Sequence, residues 1–298
     1  MVQKKKNKNY PVKQSILYNL KSKNKLATLL DLPLQDLKAL QDDHFYSCFQ
    51  VSSGREVQYP QDALYKIHKF VNKLLSRIEL PDYLHSGRKK RSSITNAKNH
   101  LLSQYKTLTV DIEHFFPSTL SNKVFGFFFN CMNQSPDVAN LLTNLLTYKG
   151  YIPTGSPVSM NLAFFANIKM FDELHRFANN RGCKMTVFVD DLAFTGKEVN
   201  ANFLFHIETI ITKHGLKIKT KKTKFFEANS PKMITGVVVK NNQIEPEYEQ
   251  LKKLREDEAN YKNEPENEQN QLIFNGRLAY LSQINKNLKI KMDLKKVS

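Results

Sequence analysis

Tryptophan is absent from this 298-residue chain, and cysteine is nearly so. Cys48, Cys131 and Cys183 are odd in number and widely spaced. That pattern excludes a disulfide framework and fits no zinc-ligand spacing, and it suits a reducing cytoplasm. No apolar run reaches the roughly 18 residues a membrane helix needs, so no membrane span is expected. The Lys-rich start (Lys4, Lys5, Lys6, Lys8) is not followed by an apolar segment, so it does not read as a secretory signal. There is no internal repeat and no long Gly/Ser linker. Acidic residues are scarce, 28 against 45 Lys and Arg, which leaves a net charge of +17. Such an excess points to a polyanionic partner, nucleic acid ahead of an anionic membrane surface. What is plentiful is Phe, with twenty, within 41% hydrophobic residues. The chain can bury a sizeable core in one large domain or a few packed subdomains.

Apolar spacing predicts two short helices between Ser15 and Leu40, the second opened by Pro33. Phe45 to Tyr59 reads as extended, with a turn at Gly54 and a stop at Pro60. Leu64, Ile67, His68, Val71, Leu74, Leu75 and Ile78 recur at helical spacing, with Pro81 as the breaker and His68 as a packed or boundary residue. A basic run, Arg88-Lys89-Lys90-Arg91, precedes a strand from Leu108 to Ile112. Ser121 is a candidate cap for a helix through Phe127. Residues 137–149 form an amphipathic pattern, and one long helix is expected from Met160 to Asn179. Phe203 to His214 reads as a helix capped by Gly215, and Met233 to Val239 as one strand paired near Gln243-Ile244. The last fifty residues are charged and helical in pattern, with a basic tail from Lys286.

Chemistry concentrates in Thr186-Val187-Phe188-Val189-Asp190-Asp191-Leu192-Ala193-Phe194-Thr195, which reads as strand, acidic turn, strand. Adjacent carboxylates repel unless a cation sits on them. A turn with no chemistry is the competing reading, since Asp is common in turns. A third carboxylate, Asp111, ends the strand of residues 108–112. Adjacent central strands would bring the three together, where they could hold two Mg²⁺ ions. Two such ions stabilise the attacking and leaving oxygens of phosphoryl transfer. Because strand side chains alternate, Asp190 and Asp191 cannot contribute equally. Asp190 is expected to bridge the ions with Asp111, with the Ile112 carbonyl as a further ligand.

The order of motifs resembles that of reverse transcriptases. It comprises Asp-Ile-x-x-Phe-Phe-Pro-Ser at 111–118, a Gly-Ser-Pro loop at 155–157, Phe-Val-Asp-Asp at 188–191, Gly-Leu-x-Ile-x-x-Lys-Lys-Thr at 215–223 and Ile-Thr-Gly at 234–236. Asn96-Ala97-x-x-His100 is similar to a signature of the retron members of that family. The resemblance covers about Leu26 to Ile284. It implies an α+β right-hand polymerase fold: fingers and palm over 31–245, after a basic tail and helix (1–30), then a helical thumb over 246–298. It implies catalytic metal ligands at Asp111, Asp190 and Asp191. Phe116 would crowd a 2′-hydroxyl to select deoxynucleotides, with Phe115 as core. Arg55 would meet the incoming triphosphate, with Arg88 and Arg91 as candidates for a second phosphate contact. Lys222 would stand near the leaving pyrophosphate, with a solvated surface lysine as the alternative. Ile234-Thr235-Gly236 would form the hairpin that grips the primer end.

Two departures stand out. The hairpin has Phe188 where the family commonly has Tyr, and the loop has Thr154 for Gln and Met160 for Pro. The shorter Thr154 leaves its nucleotide contact open. The resemblance further implies dNTP substrates and a cognate structured RNA copied from a guanosine 2′-hydroxyl into a branched RNA–DNA hybrid. It also implies a separate effector protein in antiphage defence. The His100 region, the basic 217–224 stretch and the C-terminal helices are the expected RNA surfaces. The competing readings are an intron-type or abortive-infection polymerase, and a non-catalytic RNA-binding scaffold.

Overall fold

The computed structural model describes residues 9–288. The basic run Lys4–Lys8 and the chain after Leu288, including most of the expected basic tail, lie outside the described residues.

In chain order the elements are α1 (Lys23–Leu30), α2 (Leu34–Ala39), β1 (Tyr46–Gln50), β2 (Glu56–Pro60), α3 (Asp62–Leu75), α4 (Ser93–Lys98) and β3 (Lys106–Asp111). Then come α5 (Phe115–Ser118), α6 (Ser121–Gly126), α7 (Pro136–Leu146), α8 (Ser159–Ala166), α9 (Ile168–Asn179), β4 (Lys184–Phe188), β5 (Asp191–Gly196) and α10 (Ala201–Lys213). The chain closes with β6 (Lys224–Phe226), β7 (Lys232–Ile234), β8 (Val237–Lys240), β9 (Gln243–Pro246), α11 (Tyr248–Asn263) and α12 (Glu268–Ile284). Two compact units interleave along this order. The first takes the chain up to Arg88, Ile112–Arg176 and Phe205–Lys219; the second takes Lys89–Asp111, Phe177–Leu204 and the chain from Thr220.

In the first unit, α3 shows why its sequence is helical. Leu64, Ile67, Val71, Leu74 and Leu75 fall on one buried stripe, while Lys66, Lys69 and Lys73 face water. The helix ends at Leu75, with Ser76 as its C-cap, well before Pro81. His68 is fully buried, as a packed histidine, and is hydrogen-bonded to the Ser156 hydroxyl and the Leu145 carbonyl. Two expectations fail here. Ser121 is not a cap: the N-cap of α6 is Leu120, and the helix gives way to a wide π turn at Phe127–Cys131. The expected long helix is broken between α8 and α9. Asn167 draws the chain out of helical register because its side chain is fully engaged. Its Nδ2 donates to Thr119 Oγ1 at 2.9 Å and to the Ala163 carbonyl, and its Oδ1 accepts from Lys123 Nζ at 2.8 Å.

In the second unit, β4-β5-β3-β6 form an antiparallel sheet. Its strands alternate cleanly. Leu108, Val110, Met185, Val187, Leu192 and Phe194 are buried on one face. The other face carries rows set by the register: Thr107 opposite Thr195, Thr109 opposite Ala193, and Asp111 opposite Asp191. A second antiparallel sheet, β7-β8-β9, shares a core with α4, α11 and α12 through Ile94, Ala97, Ile234, Val237, Leu254 and Phe274. Met233–Val239, one strand by its apolar pattern, is the hairpin that the resemblance implies at 234–236. Thr235 and Gly236 both take positive φ, 47° and 75°, which makes the two-residue turn that joins β7 to β8. α11 and α12 are tied by the stacked rings of Tyr261 and Phe274 and by an Arg277–Asp257 ion pair.

Candidate active site

The polar face of the four-stranded sheet ends in carboxylates. Asp111 closes β3 and Asp191 opens β5, and the two are register partners across the sheet. Asp190 sits beside them in the turn Phe188-Val189-Asp190-Asp191. The register pairing therefore runs through the second residue of the acidic pair, Asp191, while Asp190, expected to bridge the ions with Asp111, lies in the turn itself. The turn holds Val189 at φ 60°, a strained conformation for a β-branched residue.

Lys222 comes from a 3₁₀ turn, Thr220–Lys222, just ahead of β6. Its Nζ donates to Asp111 Oδ2 at 2.7 Å. That bond, with the neighbouring carboxylates behind it, raises the lysine pKa. Asp191 is pushed up to about 6, first by burial and then by the charges of Asp190 and Asp111, with Lys222 opposing. A cavity of about 320 Å³ opens onto these groups, and Asn96, Lys224, Thr235 and Gly236 complete its walls.

The donor set suits a hard divalent cation: three carboxylates whose mutual repulsion a cation would relieve. Among the described residues no group of three or more His, Cys, Asp or Glu side chains is already drawn together around a metal position, and Lys222 engages Asp111. The lysine ammonium takes the place of counter-charge at the carboxylate edge.

Of the other expected site residues, Arg91 lies in the second unit, ahead of α4. Arg55, Arg88, Ile112, Phe116 and Thr154 belong to the first unit. Arg55 is exposed in the β1–β2 turn. Arg88 donates from Nη1 to the Pro81 and Leu84 carbonyls, so it holds its own loop. The Ile112 side chain is buried, and its main chain bridges to Ile218. Phe116 is half-buried against the fully packed Phe115, with ring centroids 5.7 Å apart. The Thr154 hydroxyl lies 3.0 Å from the Glu56 carbonyl and 3.1 Å from Gln58 Oε1, so it is committed to β2. Gly155 lies so close to β2 that an added Cβ would stand 2.5 Å from Val57 Cγ1.

In the His100 region, expected as an RNA surface, Lys98 is exposed but the His100 side chain itself is not. It is fully buried and hydrogen-bonded to Thr186 Oγ1 at 2.7 Å and Thr195 Oγ1 at 2.8 Å. The sequence reading missed these threonines, and it missed Thr107, although the alternation Thr107-x-Thr109-x-Asp111 marks a polar face leading to a carboxylate. It also missed Lys232, which is buried with Nζ on the Leu102 and Tyr105 carbonyls and whose pKa burial lowers.

No family model matches the chain. A solved structure, that of apo telomerase from Candida tropicalis truncated from its C-terminal domain, aligns with a TM-score of 0.50 at 11% identity, covering 68% of this chain and 54% of that one. The fold is thus the α+β right-hand fold of reverse transcriptases. In sequence the chain is similar to retron reverse transcriptases. It is 28% identical over 207 residues to the Escherichia coli retron Ec86 reverse transcriptase, which covers 67% of this chain and 63% of that protein. It is 27% identical over 213 residues to the retron Se72 reverse transcriptase of Salmonella heidelberg, covering 66% of this chain and 55% of that one. It is 23% identical over 253 residues to the E. coli retron Ec48 reverse transcriptase, covering 78% and 62%. The chain therefore spans under two thirds of the length of each of these relatives. No described helix is long and apolar enough to cross a membrane.

Proposed function

We propose that this chain is an RNA-directed DNA polymerase of the retron type. It would copy part of a cognate structured RNA into single-stranded DNA from a guanosine 2′-hydroxyl. The observation that carries the reading is the facing pair Asp111 and Asp191 with Asp190 in the adjoining turn. Asp111, Asp190, Asp191 and the Ile112 carbonyl would hold two Mg²⁺ ions, which supply charge neutralisation to the attacking and leaving oxygens. Arg55 and Arg91, with Arg88 in support, would meet the dNTP triphosphate. Phe116 would exclude a ribose 2′-hydroxyl, and Thr154 would hold the loop beside the nucleotide. Lys222 would give a proton to the departing pyrophosphate, and Ile234-Thr235-Gly236 would hold the primer end. The net charge of +17 suits the nucleic acid partners. In this reading the protein works in the bacterial cytoplasm, with a separate effector protein, in antiphage defence.

The test is to purify the chain with whatever nucleic acid it carries, add Mg²⁺ and dNTPs, and debranch the product. Incorporation onto one RNA species through a 2′–5′ linkage is expected, and Asp190→Asn with Asp191→Asn abolishes it. Incorporation without a branch redirects the reading to an intron-type or abortive-infection polymerase. Normal incorporation by the double variant overturns the carboxylate assignment.

A further inference from the structure

Two turns border the carboxylate cavity, and each holds a β-branched residue at positive φ: Val189 at 60° and Thr235 at 47°. Such conformations persist only where surrounding contacts over-determine them. The helix α4 and the residues just after it reach the 235–236 turn and the two strands that flank the acidic turn. Asn96 Nδ2 donates to Thr235 Oγ1 at 3.3 Å, and the Thr235 hydroxyl in turn donates to the Ser93 carbonyl. Because that proton is committed to Ser93, the Asn96 amide faces Thr235 with its nitrogen. About one helical turn further on, His100 bonds Thr186 on β4 and Thr195 on β5, the two strands that carry the acidic turn. Thr195 shares a further hydrogen bond with Thr107 on β3 at 2.7 Å. By strand parity these threonines lie on the same sheet face as Asp111 and Asp191.

We infer that Asn96 and His100 are positioning residues, which brace the carboxylate hairpin and the 234–236 turn against one helix and so fix the distance between them. This rests on the active-site reading above. His100 is fully buried and cannot touch a substrate. Asn96 is also buried, yet its Oδ1 has no hydrogen-bond partner among the described residues. An apolar residue of similar size would fill the same space without that penalty, so packing alone does not account for the amide. The polar network Thr107–Thr195–His100–Thr186 gives the hairpin one defined setting, which an apolar contact of similar volume would leave loose.

The test uses the full chain, with Thr186→Val, His100→Gln, His100→Ala and Asn96→Ala, and reads melting temperature, Mn²⁺ affinity and steady-state primer extension. Thr186→Val removes one hydrogen bond at nearly constant volume. It is expected to lower kcat by about tenfold and weaken Mn²⁺ binding severalfold, with KM for dNTP and melting temperature nearly unchanged. His100→Ala is expected to lose more, and His100→Gln, which keeps a donor and an acceptor, to recover most of it. Asn96→Ala is expected to raise KM for the primer strand more than it lowers kcat. The inference is overturned if Thr186→Val matches wild type, or if activity across the series follows melting temperature alone. A wild-type chain that neither binds Mn²⁺ nor extends a primer removes the active-site reading, and this inference with it.

Discussion

Asp111 and Lys222 form an ion pair of unequal freedom: the carboxylate side chain is 8% exposed and the ammonium-bearing one 57%. The lysine can swing away into solvent, while the aspartate is fixed by β3. An arriving divalent cation must displace it. Replacement of Lys222 by Met should therefore tighten Mn²⁺ binding by roughly two- to fivefold, while lowering turnover if the lysine also serves the leaving group. Electron paramagnetic resonance of Mn²⁺ titrations reads this directly, and an unchanged or weakened affinity would refute the competition.

Phe116 stands half-buried beside Phe115, which is packed into the core against Phe171. Truncating Phe116 to Ala should let ribonucleotides in, cutting dNTP over NTP selectivity by about tenfold or more. Phe115→Ala should instead lower stability by about 3–5 kcal/mol. Selectivity ratios beside melting curves separate the two roles. Unchanged discrimination in Phe116→Ala would remove the steric gate.

His68 gives the fold an acid limit. Burial pushes its pKa down to about 4, against 6.5 for a free histidine. The unfolded chain therefore binds a proton between those values that the folded chain refuses. Its share of stability is intact above pH 6.5 and is lost as pH falls toward 4, in total on the order of 3 kcal/mol. Urea titrations across that window should show the slope, and His68→Gln should flatten it. A slope identical in the variant would assign the acid sensitivity elsewhere.

Gly196, at the end of β5, faces Cys183. An added Cβ would stand 2.5 Å from Cys183 Sγ and 2.8 Å from its Cα. Gly196→Ala should cost about 1–3 kcal/mol. Cys183→Ala should fail to rescue it, because the main-chain clash remains. Differential scanning calorimetry of the single and double variants checks both, and full rescue by the smaller side chain would show that sulfur alone fills the space.

What the sequence made legible followed from short-range pattern. The stripe of α3, the β1–β2 hairpin and the strands around Asp111 and Asp190-Asp191 were readable because helical and strand periods differ. The losses were long-range. Asn167 breaks a helix through partners at Thr119 and Lys123, more than forty positions away. The burial of His100 depends on Thr186 and Thr195, more than eighty positions on. The turn at Thr235-Gly236 was hidden from the apolar pattern by a run of strand formers, and the motif resemblance alone implied the hairpin. The pairing of Asp191 with Asp111 was a matter of register, which no single strand encodes. The hairpin's acidic turn was read, but which of its two residues faces β3 was not.

The chain passes between its two compact units five times, at the joins of six segments, one of them directly after Asp111. No continuous stretch of gene therefore encodes either unit. No single truncation removes one whole unit and leaves the other intact, and a recombination event that imports half of the chain imports fragments of both. Neither unit can be exchanged or split off as one continuous segment without cutting into the other.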